Sequence, residues 1–95
     1  MTQEEWRTPN LDALLDAIVQ LDDRDEAARF LRDLCTLGEL EALAHRCQIV
    51  RLLDQGLPYL EIAERVHTST ATVTRVAQWL RHGAGGYTLA LERTR

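Results

Sequence analysis

Apolar residues recur at helical spacing from one end of this 95-residue chain to the other, which calls for an all-α protein carrying a helix-turn-helix. Three features support that expectation. No segment alternates apolar and polar with period two, and no Asn-Gly or Asp-Gly hairpin turn occurs. Residues that start helices stand ahead of each apolar stripe, with Gly or acidic residues behind it. The segment Tyr59–Leu80, YLEIAERVHTSTATVTRVAQWL, breaks into two short stripes at His67-Thr68.

Leu11, Leu14, Leu15, Ile18 and Val19 form the first stripe. Thr8 or Asn10 can cap it, and Pro9 is tolerated in a first turn. Asp22 or Asp23 ends it and can cap a second helix with Ala27, Ala28, Phe30, Leu31 and Leu34 as its apolar set. Residues 1–34 are therefore expected to be N-terminal dimerisation helices.

Thr36-Leu37-Gly38-Glu39 reads as a capping box, in which a hydroxyl bonds forward and a carboxylate reaches back. It opens a long core helix over 36–56, with Leu40, Leu43, Ala44, Cys47, Val50 and Leu53 facing inward. Ile49 and Leu52 widen that face beyond one stripe, which favours packing on two sides and a dimer core. Gly56 is a helix stop of the usual kind.

Residues 58–83 carry the helix-turn-helix: Pro58 to about Val66, a turn at His67-Thr68, then Ser69 to Arg81 with a stop at Gly83. Gly83-Ala84-Gly85-Gly86 reads as flexible, and 84–95 as a flexible tail in which Tyr87–Arg95 forms a short final turn or an arm. The whole of 1–95 is expected to be a single helical domain.

The composition, 45% hydrophobic and 27% charged, is that of a soluble globular protein. A chain this short buries a modest share of its surface, so dimerisation is a natural route to stability. No apolar run approaches the roughly 20 residues that span a bilayer. The opening MTQEEWRTPN lacks the apolar stretch of a secretory signal, so a cytoplasmic location without membrane association is expected. Cys35 and Cys47 have no CxxC partner and read as reduced core residues. The three His (45, 67 and 82) are scattered, so no metal site is expected.

The net charge of −4 argues against nucleic acid, but its distribution argues for it. Residues 65–95 carry one acid, Glu92, against five arginines. That basic end, rather than the whole-chain charge, would meet phosphates.

Two short helices pack at a steep angle when their facing positions are apolar and one is small. Ile62, Val66, Val73 and Val76 supply the apolar positions, and Ala63 the small one. His67 holds a turn position where Gly is usual, so it must accept a strained backbone or a different turn. The outward face of the second helix is then Ser69, Thr70, Ala71, Thr74, Arg75 and Gln78, with Thr72 beside it among the expected DNA-binding residues. Ser69 can cap the helix and favours a phosphate there. Thr methyls suit thymine methyls, Gln suits adenine, and Arg suits guanine or phosphate.

The stretch Leu34–Tyr87 resembles the Trp-repressor-like proteins, in the branch known as YerC/YecD. The residues that carry the likeness are the LCT..E...L..R opening, the STAT.TRV segment and the closing G..GY. The resemblance implies an all-helical, intertwined homodimer that reads a palindromic operator in double-stranded DNA, most simply as a repressor.

In tryptophan-binding members two arginines sandwich the indole. Arg46 and Arg75 match them, and Thr36 matches another pocket residue, so these three form a possible effector pocket. A Gly that leaves room for the indole falls at Val76, and a small Ser falls at Trp79. Both replacements are bulkier, so no tryptophan corepressor is expected and no other cofactor is implied. An Arg that reads a base from the first reading-head helix falls at Leu60, so a different operator is expected.

Other readings compete at single residues. Arg46 can meet a ligand carboxylate or a phosphate, or can simply pair with Glu39 or Glu41. Trp79 suits packing in a dimer or at the tail better than base stacking, and His45 and His82 read as surface residues. An enzyme is not expected: no nucleophile elbow or metal spacing occurs, and Gly83–Gly86 follows a helix and lacks the Lys of a phosphate loop. The competing class is a protein-interaction adaptor of the transcription machinery, which would suit the acidic N-terminal helices.

Overall fold

The computed structural model describes residues 6–95, which form six helices and no strand. These are α1 (Pro9–Val19), α2 (Arg24–Leu34), α3 (Leu37–Asp54), α4 (Tyr59–Arg65), α5 (Thr70–His82) and α6 (Gly86–Thr94). The chain divides into two compact units between Leu40 and Glu41. Among the described residues no helix is long and apolar enough to cross a membrane, and no three His, Cys, Asp or Glu cluster as metal ligands.

In the first unit the caps fall where short polar side chains can reach free amides. Thr8 Oγ1 accepts from Leu11 N–H at 3.1 Å, and Asp23 Oδ1 accepts from Glu26 N–H at 2.9 Å. Glu26 returns the favour to Asp22 N–H at 2.9 Å. The capping box forms in full: Glu39 N–H donates to Thr36 Oγ1 at 3.1 Å, and Thr36 N–H to the Glu39 carboxylate at 2.8 Å. Thr36 holds the Glu39 carboxyl below its ordinary range, through its backbone amide first and its side chain second.

Neither α1 nor α2 has a fully buried residue. Leu14, Leu15, Phe30 and Leu31 are half-buried, whereas Val19, Leu34 and Leu37 stand more than half exposed.

The second unit holds the core. Ile49 and Val50 of α3 pack with Ile62, Ala63 and Val66 of the α4 segment and with Val73 and Val76 of α5. Ile49, Ile62 and Val73 are completely inaccessible. Half-buried Leu52, Leu53, Leu57, Tyr59 and Leu80 pack against this cluster.

Two expectations fail here. Of the expected inward stripe on α3, Leu43, Ala44 and Cys47 are exposed, while Leu40 and Leu53 are half-buried and Val50 is buried, with Ile49 buried beside it. Only its C-terminal half meets the core of this unit. The cysteines are accordingly not core residues of the chain: Cys47 is exposed, and Cys35 is a half-buried cap at the end of α2.

The tail is also not flexible along its length. Residues 86–94 form α6, which packs on α5 and places Tyr87 and Leu91 against the core. Arg95 then donates to Asp54 at the end of α3, at 2.7 Å. Tertiary packing thus holds a helix too short to be stable alone.

Candidate nucleic-acid interface

The two connections around α4 are built alike. Gly56 (φ 83) closes α3 with Gly56 N–H on Leu53 O at 3.0 Å and Leu57 N–H on Leu52 O at 3.3 Å. His67 (φ 58) closes α4 in the same way, with His67 N–H on Glu64 O at 3.4 Å and Thr68 N–H on Ala63 O at 2.9 Å. Of the alternatives open at His67, the chain takes the strained one: a non-glycine residue in the left-handed region. The turn then releases the chain at Ser69, whose Oγ accepts from Thr72 N–H at 3.1 Å and caps α5.

This turn seats α5 against α4 through Val73, Val76 and Ala77, all buried. The opposite side is left to solvent: Ser69, Thr70, Ala71, Thr74, Arg75 and Gln78 are all exposed. Thr72 is different, being half-buried with its hydroxyl 3.1 Å from that of Ser69. It buttresses the cap rather than widening the outward face. The Thr74 hydroxyl donates to Thr70 O at 2.9 Å, so its proton is engaged within the helix.

Arg75 forms no ion pair among the described residues, where the pairs are Arg7–Asp12, Arg65–Glu61 and Arg95–Asp54. The first unit carries ten carboxylates against four arginines, and the second five against seven. The unit that bears α5 is therefore the basic one.

Of the three effector residues, Thr36 has both its amide and its hydroxyl committed to Glu39. Arg46 donates to Ala42 O at 3.4 Å, within its own helix. Arg46 forms no ion pair with Glu39, which accepts from Thr36 N–H, or with Glu41. None of Thr36, Arg46 and Arg75 lines the cleft that the second unit does contain.

Val76 is buried in the core, but Trp79 is 64% exposed and so fills no pocket within the chain. Its backbone carbonyl and ring lie so close to Gly83 that a Cβ there would strike both, which is why the chain leaves α5 at a glycine. His82 is exposed and His45 half-buried.

Fold and face together define a helix-turn-helix protein. The chain belongs to the Trp repressor protein family, which it matches over residues 9–95. It is 38% identical over 95 residues to the uncharacterized protein YerC of Bacillus subtilis, covering 100% of this chain and 91% of that one. With a Trp operon repressor homolog of Actinobacillus succinogenes it shares 43% identity over 53 residues, 55% of this chain and 52% of that protein.

Two solved structures are similar throughout. A candidate Trp repressor of Staphylococcus aureus superposes with a TM-score of 0.88 at 39% identity, covering 99% of this chain and 94% of that one. A TrpR-like protein of Eubacterium eligens gives 0.88 at 37% identity, covering 97% and 95%.

Proposed function

We propose that this protein is a sequence-specific transcriptional regulator, a repressor, that inserts α5 into the major groove of double-stranded DNA as a homodimer. The observation that carries this reading is the division of α5. One side is locked into the core by Val73, Val76 and Ala77, and the other offers an exposed row of short polar side chains with a single unpaired Arg75.

A rigid helix with such a face can approach base edges without steric conflict. Arg75 suits guanine O6 and N7, Gln78 suits adenine, and the Thr74 methyl suits thymine, its hydroxyl proton being already engaged. Ser69 and the α5 N-terminus favour a phosphate, which fixes register rather than sequence.

Dimerisation is supported by the first unit, in which α1 and α2 leave Val19 and Leu34 exposed and bury nothing completely, and Leu37 at the start of α3 is exposed as well. A second copy would finish that core and repeat the reading helix about a two-fold axis, matching a palindromic site. Tryptophan is not the effector in this reading, because Val76 occupies the core position where an indole would need room. Calorimetry with tryptophan should accordingly show no saturable heat.

The test is recovery of bound duplexes from fragmented genomic DNA, followed by titration at rising salt. A common sequence motif should emerge, and log affinity should fall with log salt at a slope of about −0.9 per neutralised phosphate. Indifference to duplex DNA at every salt concentration would instead favour an adaptor that works through protein contacts alone.

A further inference from the structure

The second unit contains a cleft of about 530 Å³ that none of the outward-face residues of α5 lines. Its floor is aliphatic: Leu53, Leu57, Ala77, Leu80 and Leu91. Its rim is polar, and its ionisable groups are Asp54, Tyr59, Arg81 and Arg95. Two guanidinium groups thus face one carboxylate, leaving the rim with an excess of positive charge.

The two arginines are held differently. Arg95 is tied to Asp54 at 2.7 Å. Arg81 lies over the ring of Tyr59, with its guanidinium carbon 5.9 Å from the ring centre, and forms no ion pair among the described residues. Its place over the ring holds the guanidinium beside Tyr59 while leaving the N–H groups without a carboxylate.

We propose that this cleft binds a small aromatic carboxylate, with the carboxylate on the Arg81 fork and the apolar body against the leucine floor. The volume lies within the roughly 300–1,000 Å³ of small-molecule sites. A flat apolar ring suits the aliphatic floor beside Tyr59, and a planar carboxylate suits a guanidinium that can grip it with two parallel bonds.

Ala77, Leu80 and Arg81 belong to α5, while Thr88 and Leu91 belong to α6. An occupant would therefore join the reading helix to the C-terminal helix. Its effect on DNA affinity rests on the assignment of α5 made above, but its binding does not.

The experiment is an NMR titration of the full-length, isotope-labelled chain without DNA, using phenylacetate as probe and phenylacetamide as its uncharged counterpart. Phenylacetate should give saturable shifts at the amides of Ala77, Leu80, Arg81, Thr88 and Leu91. Phenylacetamide should bind at least about tenfold more weakly, the loss expected for one charge-assisted hydrogen-bond pair.

Arg81→Gln should weaken phenylacetate by a similar factor. Thr88→Phe, which fills the cleft without changing its charge, should abolish the shifts. The proposal is overturned by unsaturable or absent shifts, by equal binding of the amide, by shifts centred on Arg46 and Arg75, or by full affinity in Arg81→Gln. A companion DNA titration with and without phenylacetate separates the two assignments, since a failure of DNA binding leaves the protein–ligand shifts untouched.

Discussion

The amide of Thr68 donates to the carbonyl of Ala63 at 2.9 Å, and the residue folded inside that bond, His67, sits at φ 58. A side chain in this left-handed region costs roughly 1–2 kcal/mol, part of which a glycine gives back through its greater freedom in the unfolded chain. His67→Gly is therefore expected to raise stability by about 0.5–1 kcal/mol, and His67→Val to lower it. Urea unfolding checks both. A less stable glycine variant would mean that the imidazole makes a compensating contact.

The Glu39 carboxyl is held below its ordinary range by Thr36, through the backbone amide first and the hydroxyl second. A carboxyl depressed in the folded state stabilises fully above its unfolded value, and that contribution is lost as pH falls through the folded value. The stability gap between wild type and Glu39→Ala should therefore be open at neutral pH and narrow in acid. A gap of constant size from pH 7 down to pH 2 would show that the charge of the carboxylate plays no part.

Ser69 has a structural role that can be separated from its proposed role at DNA. Ser69→Ala should cost about 1 kcal/mol in unfolding free energy through loss of the α5 cap. Ser69→Asp should keep the cap, because aspartate caps as well as serine and suits the positive end of the helix. If that helix end faces phosphate, the aspartate variant should fold normally yet bind duplex DNA much more weakly. Normal folding together with undiminished affinity would move the phosphate contact elsewhere.

On the outward face, Thr74→Ala and Arg75→Ala should each reduce specific binding by roughly 1–3 kcal/mol if they meet bases. Both residues are exposed, so thermal unfolding should barely change. The double variant retaining full affinity for the selected duplex would rule out α5 as the reading element.

Sedimentation equilibrium tests the incomplete first unit. A dimer is expected at micromolar concentration, because the exposed Leu34 and Leu37 would otherwise remain in water. A stable monomer would show that the unit is self-sufficient as it stands.

Much of this was readable from the residues alone, and the physical reason is locality. Thr8, Asp23, the Thr36–Glu39 pair, Gly56 and Ser69 act on amides within a few residues, so their roles follow from short-range spacing. Periodicity also separated the buried Val73 and Val76 from the exposed Thr74 and Arg75.

What was not readable depended on distant partners. The apolar face of α3 announces itself in sequence, but only its Ile49–Val50 end is covered by this chain, and spacing cannot say which end that will be. The glycines at 83, 85 and 86 hide α6, which is held by Tyr87, Leu91 and the Arg95–Asp54 pair. Arg46 offered two partners on paper and took neither, since its helix turned it back on Ala42.

Trp79 gives α5 a fluorophore of its own. Its indole stands 64% in solvent, one turn before the glycine it nearly touches. Emission from such a ring lies to the red and is readily quenched by acrylamide. Anything that settles on that flank of α5 would shift its colour and shield it from quencher, so occupancy can be followed in unlabelled protein. With Trp6 the only other indole in the chain, a Trp6→Phe background would make that signal report from a single place.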